Sequence, residues 1–296
     1  MLKSGFVSII GRPNVGKSTF LNYCLGQKVS IISPKPQTTR NIINGIYTTE
    51  DAQIIFIDTP GIHKPKHELG EYMNKQAFRS IKDVDLVLLL FDGTTDFGTG
   101  DEFVLKMLSK IDANAILVVN KMDLVKDKDK LSENVDKLNA NYKFIDTFYI
   151  SALNGDNVDE LLKGTIANLE EGPMYYPKDQ VSDHPEKFII SEIIREKILL
   201  KTQEEVPHSV AVVTEEVKHI DGLLNVRATI IVERTSQKKI IIGAGGKMIK
   251  EIGTLARQDI EKVVGEKLYL DLWVKIIPDW RDRESEIRKL GYTLDK

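Results

Sequence analysis

The sequence predicts two domains: an α/β domain built on a mostly parallel sheet with helices on both faces, then a smaller α+β domain. Three observations carry this prediction. The chain has 296 residues, about twice the length of a common single-core domain. Short apolar runs alternate with helix-length stretches from Phe6 to about Glu170. After a proline-rich break, that alternation gives way to a helix followed by strands, the order of an α+β unit.

In the first half, residues 6–10, 53–57, 86–91, 115–119 and 148–150 have strand length and are rich in Val, Ile, Leu and Phe. Such uninterrupted apolar runs suit strands buried on both faces. Residues 18–25, 101–110 and 158–169 fill the helical intervals, while the charge run 126–130 reads as a solvated loop. Sheets of this kind bind ligands outside the carboxyl ends of their strands, so the chemistry is expected just after each apolar run. Residues 171–185 hold three prolines and a glycine and read as the linker between a domain of residues 1–170 and one of 186–296. Beyond it come a helix at 187–201, strands at 209–217 and 225–233, the run 239–242, a glycine turn, a helix, and a last strand at 269–275.

Composition narrows the class. Hydrophobic residues make up 42% and charged residues 29%, which excludes disordered and fibrous chains. Forty-one Lys and Arg against 44 Asp and Glu leave a net charge of −3, a balance that can still conceal a local patch for nucleic acid or a membrane surface. The single cysteine, Cys24, excludes an internal disulfide and a cysteine-built zinc site and fits a reducing compartment. Cys24 and the five histidines read as structural or incidental, since no histidine cluster has metal-ligand spacing. The longest apolar run, 84–91, is interrupted by Asp85 and is far short of the roughly 18–20 residues of a membrane span. The first ten residues lack the long apolar core of a signal peptide, so a cytosolic protein is expected.

Gly11-Arg12-Pro13-Asn14-Val15-Gly16-Lys17-Ser18 matches the pattern of a phosphate-binding loop, placed between a predicted strand and a predicted helix that continues with Thr19. Glycines let backbone N–H groups turn inward around phosphates, and the helix N-terminus adds its positive end. Lys17 would neutralise β- and γ-phosphates, and the Ser18 hydroxyl would ligate Mg²⁺. Asn120-Lys121-Met122-Asp123 follows the strand at 115–119. A carboxylate there accepts from the ring N–H and exocyclic amine of guanine together, a pair of donors adenine does not offer, so Asp123 selects GTP over ATP. Ser151-Ala152-Leu153 follows the last strand of this half.

Two further segments read as switches that the γ-phosphate orders and hydrolysis releases. In Asp58-Thr59-Pro60-Gly61 the aspartate would hold Mg²⁺ through water, and the Gly61 N–H would reach the γ-phosphate. In Gln37-Thr38-Thr39-Arg40 one threonine hydroxyl would close the Mg²⁺ shell. The next residue after the first segment, Ile62, stands where Ras-like enzymes place the water-orienting glutamine and has neither donor nor acceptor. Help in hydrolysis is therefore expected from a switch-loop backbone group, from bound RNA and ribosome, or from a monovalent cation such as K⁺ on the Asn14 side chain. Asn14 serves equally well to tighten its loop.

These motifs, in this order, resemble the translation-factor-related class of GTPases, and Gln-Thr-Thr-Arg with Asp-Thr-Pro-Gly-Ile narrows the resemblance to the TrmE–Era–EngA group. It implies Thr39 as the threonine on Mg²⁺, Lys17, Thr39 and Gly61 as the catalytic set, and Ser151-Ala152-Leu153 as the loop that backs the base.

Residues 240–253, Ile-Ile-Ile-Gly-Ala-Gly-Gly-Lys-Met-Ile-Lys-Glu-Ile-Gly, resemble the core of a KH domain, here of type II. Gly243-Ala244-Gly245-Gly246 is its G-x-x-G loop, which clamps single-stranded nucleic-acid backbone. Lys238, Lys239, Lys247 and Lys250 flank it. Between Arg227 and Arg257 seven basic residues face two acidic ones, the local patch that the overall charge permits. A GTPase half followed by this module is similar to the Era family of ribosome-assembly GTPases across the whole chain. Glu192-Ile193-Ile194-Arg195-Glu196-Lys197 and Leu272-Trp273-Val274-Lys275 add to that likeness.

The resemblance implies GTP and GDP with Mg²⁺ as ligands, and the 3′ end of 16S rRNA in the small (30S) ribosomal subunit as partner. It also implies a monomer with peripheral contact to the inner membrane. Two alternatives stand beside it: an EngA- or TrmE-like factor in another process, and a P-loop enzyme whose second domain binds protein. An EngA-type factor usually carries two GTPase domains, whereas one phosphate loop occurs here. Trp273 and Trp280 would serve such a protein interface, although core packing is the expected use of both.

Overall fold

The computed structural model describes residues 2–111 and 113–293, so the outer bounds of the expected domains, 1 and 296, lie outside the described residues. The chain divides into two compact units. The first takes in residues up to Ser30, Thr39–Lys66 and Gly70–Asp183, and the second takes in Ile31–Thr38, His67–Leu69 and the residues from His184 onward.

In the first unit, β1 (Lys3–Ile10), α1 (Lys17–Leu25), β2 (Ile43–Thr48), β3 (Ala52–Asp58), α2 (Glu68–Arg79), β4 (Leu86–Asp92), α3 (Thr99–Ser109), β5 (Ala115–Asn120), α4 (Lys128–Asn141), β6 (Asp146–Tyr149) and α5 (Val158–Ala167) follow in order. The sheet runs β2-β3-β1-β4-β5-β6, parallel throughout except for β2, which pairs antiparallel with β3. Every residue of β4 and of β5 is buried, which is why these strands read as continuous apolar runs. The carboxyl ends of β1, β3, β4, β5 and β6 lie along one edge, and each predicted nucleotide motif lies at one of them except Gln37–Arg40, which lies between α1 and β2.

Three readings of this half need correction. The edge strand β2 was not expected, because its sequence, Ile-Asn-Gly-Ile-Tyr-Thr, interrupts the apolar pattern. Its Gly45 leaves room for α1: a Cβ there would come within 2.5 Å of Leu21 Cδ1. The helix α2 also escaped notice, although Leu69, Tyr72, Met73 and Ala77 recur at helical spacing. The charge run 126–130 is not wholly loop: Asp127 caps α4 by accepting from the Lys130 N–H at 2.9 Å, and the lysines that follow form its first turn.

The expected linker is largely part of the first unit. The Gln53 side chain, buried in β3, accepts from the N–H groups of Tyr175 and Tyr176 and donates to the Tyr176 carbonyl. Ile46 donates its N–H to the Val181 carbonyl at 2.9 Å. Pro173 and Pro177 lack N–H groups, which suits a strap docked along an edge, whereas Pro185 caps α6.

The second unit contains α6 (Glu186–Lys201), α7 (Val206–Ser209), β7 (Ala211–Ile220), β8 (Leu223–Val232), α8 (Thr235–Ile242), α9 (Lys247–Val264), β9 (Leu268–Ile276) and α10 (Glu284–Lys289). Its sheet runs β7-β8-β9; β7 and β8 are antiparallel and β8 and β9 parallel. Asp221 and Gly222, with φ of 51° and 77°, supply the two left-handed residues that a tight hairpin needs. Ile194 and Ile198 of α6, Val226 and Ile230 of β8, and Ile252 and Ile260 of α9 share one core. Trp280 is fully buried, with its Nε1–H donated to the Ser209 carbonyl at 2.8 Å. Trp273 is not core: it is 61% exposed, because it lies on the face of β9 that the helices leave open.

Candidate functional site

The loop after β1 bends around Gly16, whose φ is 102°. A Cβ at this position would stand 2.2 Å from Asn120 Nδ2, so close approach and backbone angle both require glycine. Lys17 opens α1, and its buried ammonium donates to the carbonyls of Arg12 at 2.8 Å and Gly11 at 3.3 Å. Burial lowers its pKa to about 8 against the opposing pull of Asp58. The Arg12 side chain turns away from the loop, pairing with Asp101 at 3.1 Å and Thr95 at 2.9 Å. It ties the loop to α3 instead of reaching for phosphate. Val15 is buried, Asn14 is exposed with a φ of 64°, and Pro13 and Thr19 are half-buried.

Three oxygens meet beside this loop. Ser18 Oγ donates to Asp58 Oδ2 at 2.7 Å, so the hydroxyl of Thr39, 2.9 Å away, donates to Ser18. The Thr38 hydroxyl instead donates to the Lys35 carbonyl at 2.7 Å. Of the two threonines, Thr39 is therefore the one aimed at the site. Ser30, which no motif signalled, donates to the same Asp58 oxygen at 3.0 Å. The other oxygen, Oδ1, is buried with no hydrogen-bond partner among the described residues, and burial raises the carboxyl pKa. A hard divalent cation with its water shell fits this set of oxygens and would satisfy the orphaned one. Ser18 and Thr39 would hold it directly, and Asp58 through water.

The turn after β3 packs on the loop. Thr59 is fully buried and donates to the Ile9 carbonyl at 2.7 Å, which makes it a strut between strands. Pro60 is buried. A Cβ on Gly61 would lie 2.7 Å from the backbone of Pro13. Ile62 is 1% exposed within the core, while its N–H donates to the Gly11 carbonyl at 3.1 Å. Its side chain therefore does not line the site, although the residue directly follows the Asp58–Gly61 motif.

Asn120, at the end of β5, is also a strut. Its Nδ2 donates to the Val15 carbonyl at 2.8 Å, and its Oδ1 accepts from the Ala152 N–H at 2.9 Å. The Ala152 N–H is thus engaged within the protein. Lys121, with φ of 65°, extends to Asp92 at 2.5 Å. Met122 donates its N–H to the Ile150 carbonyl at 3.1 Å, which holds the turn so that Asp123 is exposed beside it. Ser151 is buried, with its Oγ accepting from the Asn154 N–H, and Leu153 is 73% exposed. Asp92 belongs to no motif, yet it directly follows the apolar run 86–91 and pairs with Lys121 at 2.5 Å.

In the second unit, the run 239–242 forms the last turn of α8, and residues 243–246 link it to α9. Gly245 and Gly246 have φ of 58° and 77°, and a Cβ on either would meet nothing within 4 Å. The loop is open to solvent and held in a shape that glycine favours. Lys239, Lys247 and Lys250 are exposed and Lys238 half-buried. None of the four makes an ion pair among the described residues, whereas Glu251 is engaged by Lys201 at 2.5 Å. Four uncompensated cations around an open G-x-x-G loop form a surface suited to a phosphate backbone.

Comparison with known proteins agrees with both halves. The model of the 50S ribosome-binding GTPase family matches residues 6–121, and that of the KH domain matches residues 205–281. A single-residue variant of Aquifex aeolicus Era bound to GDP·AlF4⁻ is 42% identical, covering 99% of this chain and 100% of its own, with a TM-score of 0.94. Era in complex with MgGDPNP and nucleotides 1506–1542 of 16S ribosomal RNA is 41% identical over 99% of this chain and 100% of its own, with a TM-score of 0.95.

Proposed function

The chain belongs to the Era family of GTPases, and from that premise we propose that GTP binding and hydrolysis control its grip on the single-stranded 3′ end of 16S rRNA during small-subunit assembly. The observation that carries this reading is the pairing, in one chain, of the Ser18–Thr39–Asp58 oxygen cluster with an open G-x-x-G loop flanked by unpaired lysines.

Each residue has a task in that reading. Lys17 and the backbone N–H groups of residues 14–18 bind the phosphates. Mg²⁺, when bound, neutralises charge on the β- and γ-phosphates. Thr39, held beside Ser18 at 2.9 Å, would close the cation's shell, and contact with the γ-phosphate would steady its segment. The Gly61 N–H stabilises the γ-phosphate as charge shifts during bond cleavage. Asp123 reads guanine, while Asn120, Lys121, Asp92 and Ala152 hold the reading loop in place. With Ile62 in the core, Asn14 would hold a K⁺, whose charge would assist at the phosphates. Lys238, Lys239, Lys247 and Lys250 hold RNA phosphates against residues 243–246.

Family likeness supports action in the cytoplasm as a monomer, with peripheral contact to the inner membrane; among the described residues no helix is long and apolar enough to cross one. The test is GTP turnover with and without a 16S 3′-end oligonucleotide. Stimulation or inhibition by that RNA, absent with a scrambled sequence, is expected. Turnover indifferent to both would remove the link between the halves.

A further inference from the structure

Beyond the nucleotide contacts, we propose that His63 is a positioning residue for GTP hydrolysis, holding Gly61 in the orientation that meets the γ-phosphate. This rests on the reading above, in which the Gly61 N–H acts on that phosphate.

Gly61 is fixed on several sides. Its Cα presses against Pro13, since an added Cβ would lie 2.7 Å from both Pro13 N and Cα. Its carbonyl lies 2.9 Å from His63 Nδ1. A carbonyl oxygen can only accept, so Nδ1 carries the proton and donates it. The N–H on the far side of the same peptide, that of Ile62, donates to the Gly11 carbonyl at 3.1 Å. The peptide after Gly61 is thus pinned at its oxygen by His63 and at its nitrogen by the phosphate loop.

His63 is itself held by α2. Asn74 Nδ2 donates to the His63 carbonyl at 2.7 Å, and Asn74 Oδ1 accepts from the His63 N–H at 3.4 Å. A chain of contacts therefore runs from α2 through Asn74 and the imidazole to Gly61. The Ile62 side chain between them is buried in the core and contributes no polar group. Where a glutamine would orient water, this segment orients a backbone donor, and the orienting proton comes from the next residue along. Aligned backbone donors need no reorganisation when charge develops, which is the property that makes such groups catalytic.

The experiment compares His63→Ala, His63→Asn and His63→Gln in the full chain, reading single-turnover GTP hydrolysis and GDP affinity. The asparagine amide nitrogen falls near the place of Nδ1, and that of glutamine near Nε2. Loss of one such donor is expected to slow hydrolysis by about tenfold in the alanine and glutamine variants. GDP affinity should stay within about twofold, since GDP lacks the γ-phosphate, and that affinity also shows that each variant is folded. The asparagine variant should recover most of the rate. Asn74→Ala should slow hydrolysis too, and combining it with His63→Ala should add little, because both act through one contact. An alanine variant at parental rate would overturn the proposal. So would equal loss in the asparagine and glutamine variants, which would assign the effect to Nε2 or to general damage. A parent protein that hydrolyses no GTP would instead contradict the GTPase reading, a separable result.

Discussion

Asn120 reaches across 105 residues of sequence to donate to the Val15 carbonyl at 2.8 Å, while accepting from the Ala152 N–H at 2.9 Å. One buried amide thereby joins the loop after β1, the end of β5 and the loop after β6. Its role is to hold three loops at fixed spacing. Asn120→Ala would leave a buried carbonyl and a buried N–H unpaired, at a cost of about 2–4 kcal/mol. Denaturant unfolding should show that loss, and GDP affinity should fall with it. Weaker binding with unchanged stability would mean that Asn120 acts mainly on the nucleotide.

Asp123 stands exposed beside that strut in a turn held by backbone hydrogen bonds. Asp123→Asn should lower GTP affinity at least about a hundredfold and favour XTP, in which a carbonyl acceptor replaces guanine's exocyclic amine donor while the ring N–H remains. Equal loss for both nucleotides would withdraw Asp123 as the guanine reader.

Lys17 gives a pH signature. Burial lowers its pKa to about 8, so in the alkaline window above that value the unfolded chain holds a proton that the empty folded site has released. By linkage, this group's contribution to the stability of the unliganded protein rises with pH across the window. Phosphate oxygens favour the charged form, so GDP binding should take up protons at about pH 9 and few at about pH 6.5. Calorimetry in buffers of different ionisation enthalpy measures this. Lys17→Ala should abolish the uptake along with most of the affinity; uptake that persists in this variant would assign the proton elsewhere.

The cation reading at Asn14 is tested by turnover in KCl against NaCl at equal ionic strength. Faster turnover in KCl, lost in Asn14→Ala, is expected. Equal rates in both salts would leave the exposed, left-handed Asn14 as a loop-tightening residue.

Much of this site was legible in the sequence because its residues lie next to strong local signals. The phosphate loop, Asp58 and Asp123 each follow an apolar run that can only be a buried strand, and a parallel sheet brings those ends together. The missing parts depend on contacts between distant segments. Ser30 carries no motif and becomes visible only when its hydroxyl meets Asp58. Arg12 lies within the phosphate-loop motif, but Asp101, far along the chain, claims its guanidinium. Thr59, Ile62 and Asn120 belong to motifs, yet their side chains are struts or core, because a motif records who is present without recording which way each side chain turns. Trp273 is the converse case: an apolar residue in a strand, placed on the one face that no helix covers.

Filter binding of a single-stranded 16S 3′-end oligonucleotide in GDPNP and in GDP measures directly whether the nucleotide controls the RNA grip. Binding should be tighter with GDPNP, weaken with added salt, and be lost in Gly246→Asp while RNA-free GTP turnover persists. Aspartate tolerates the left-handed backbone there better than most residues, and open space surrounds the position, so loss would reflect repulsion of phosphate. Equal RNA affinity in GDPNP and GDP, or full binding by Gly246→Asp, would contradict the account.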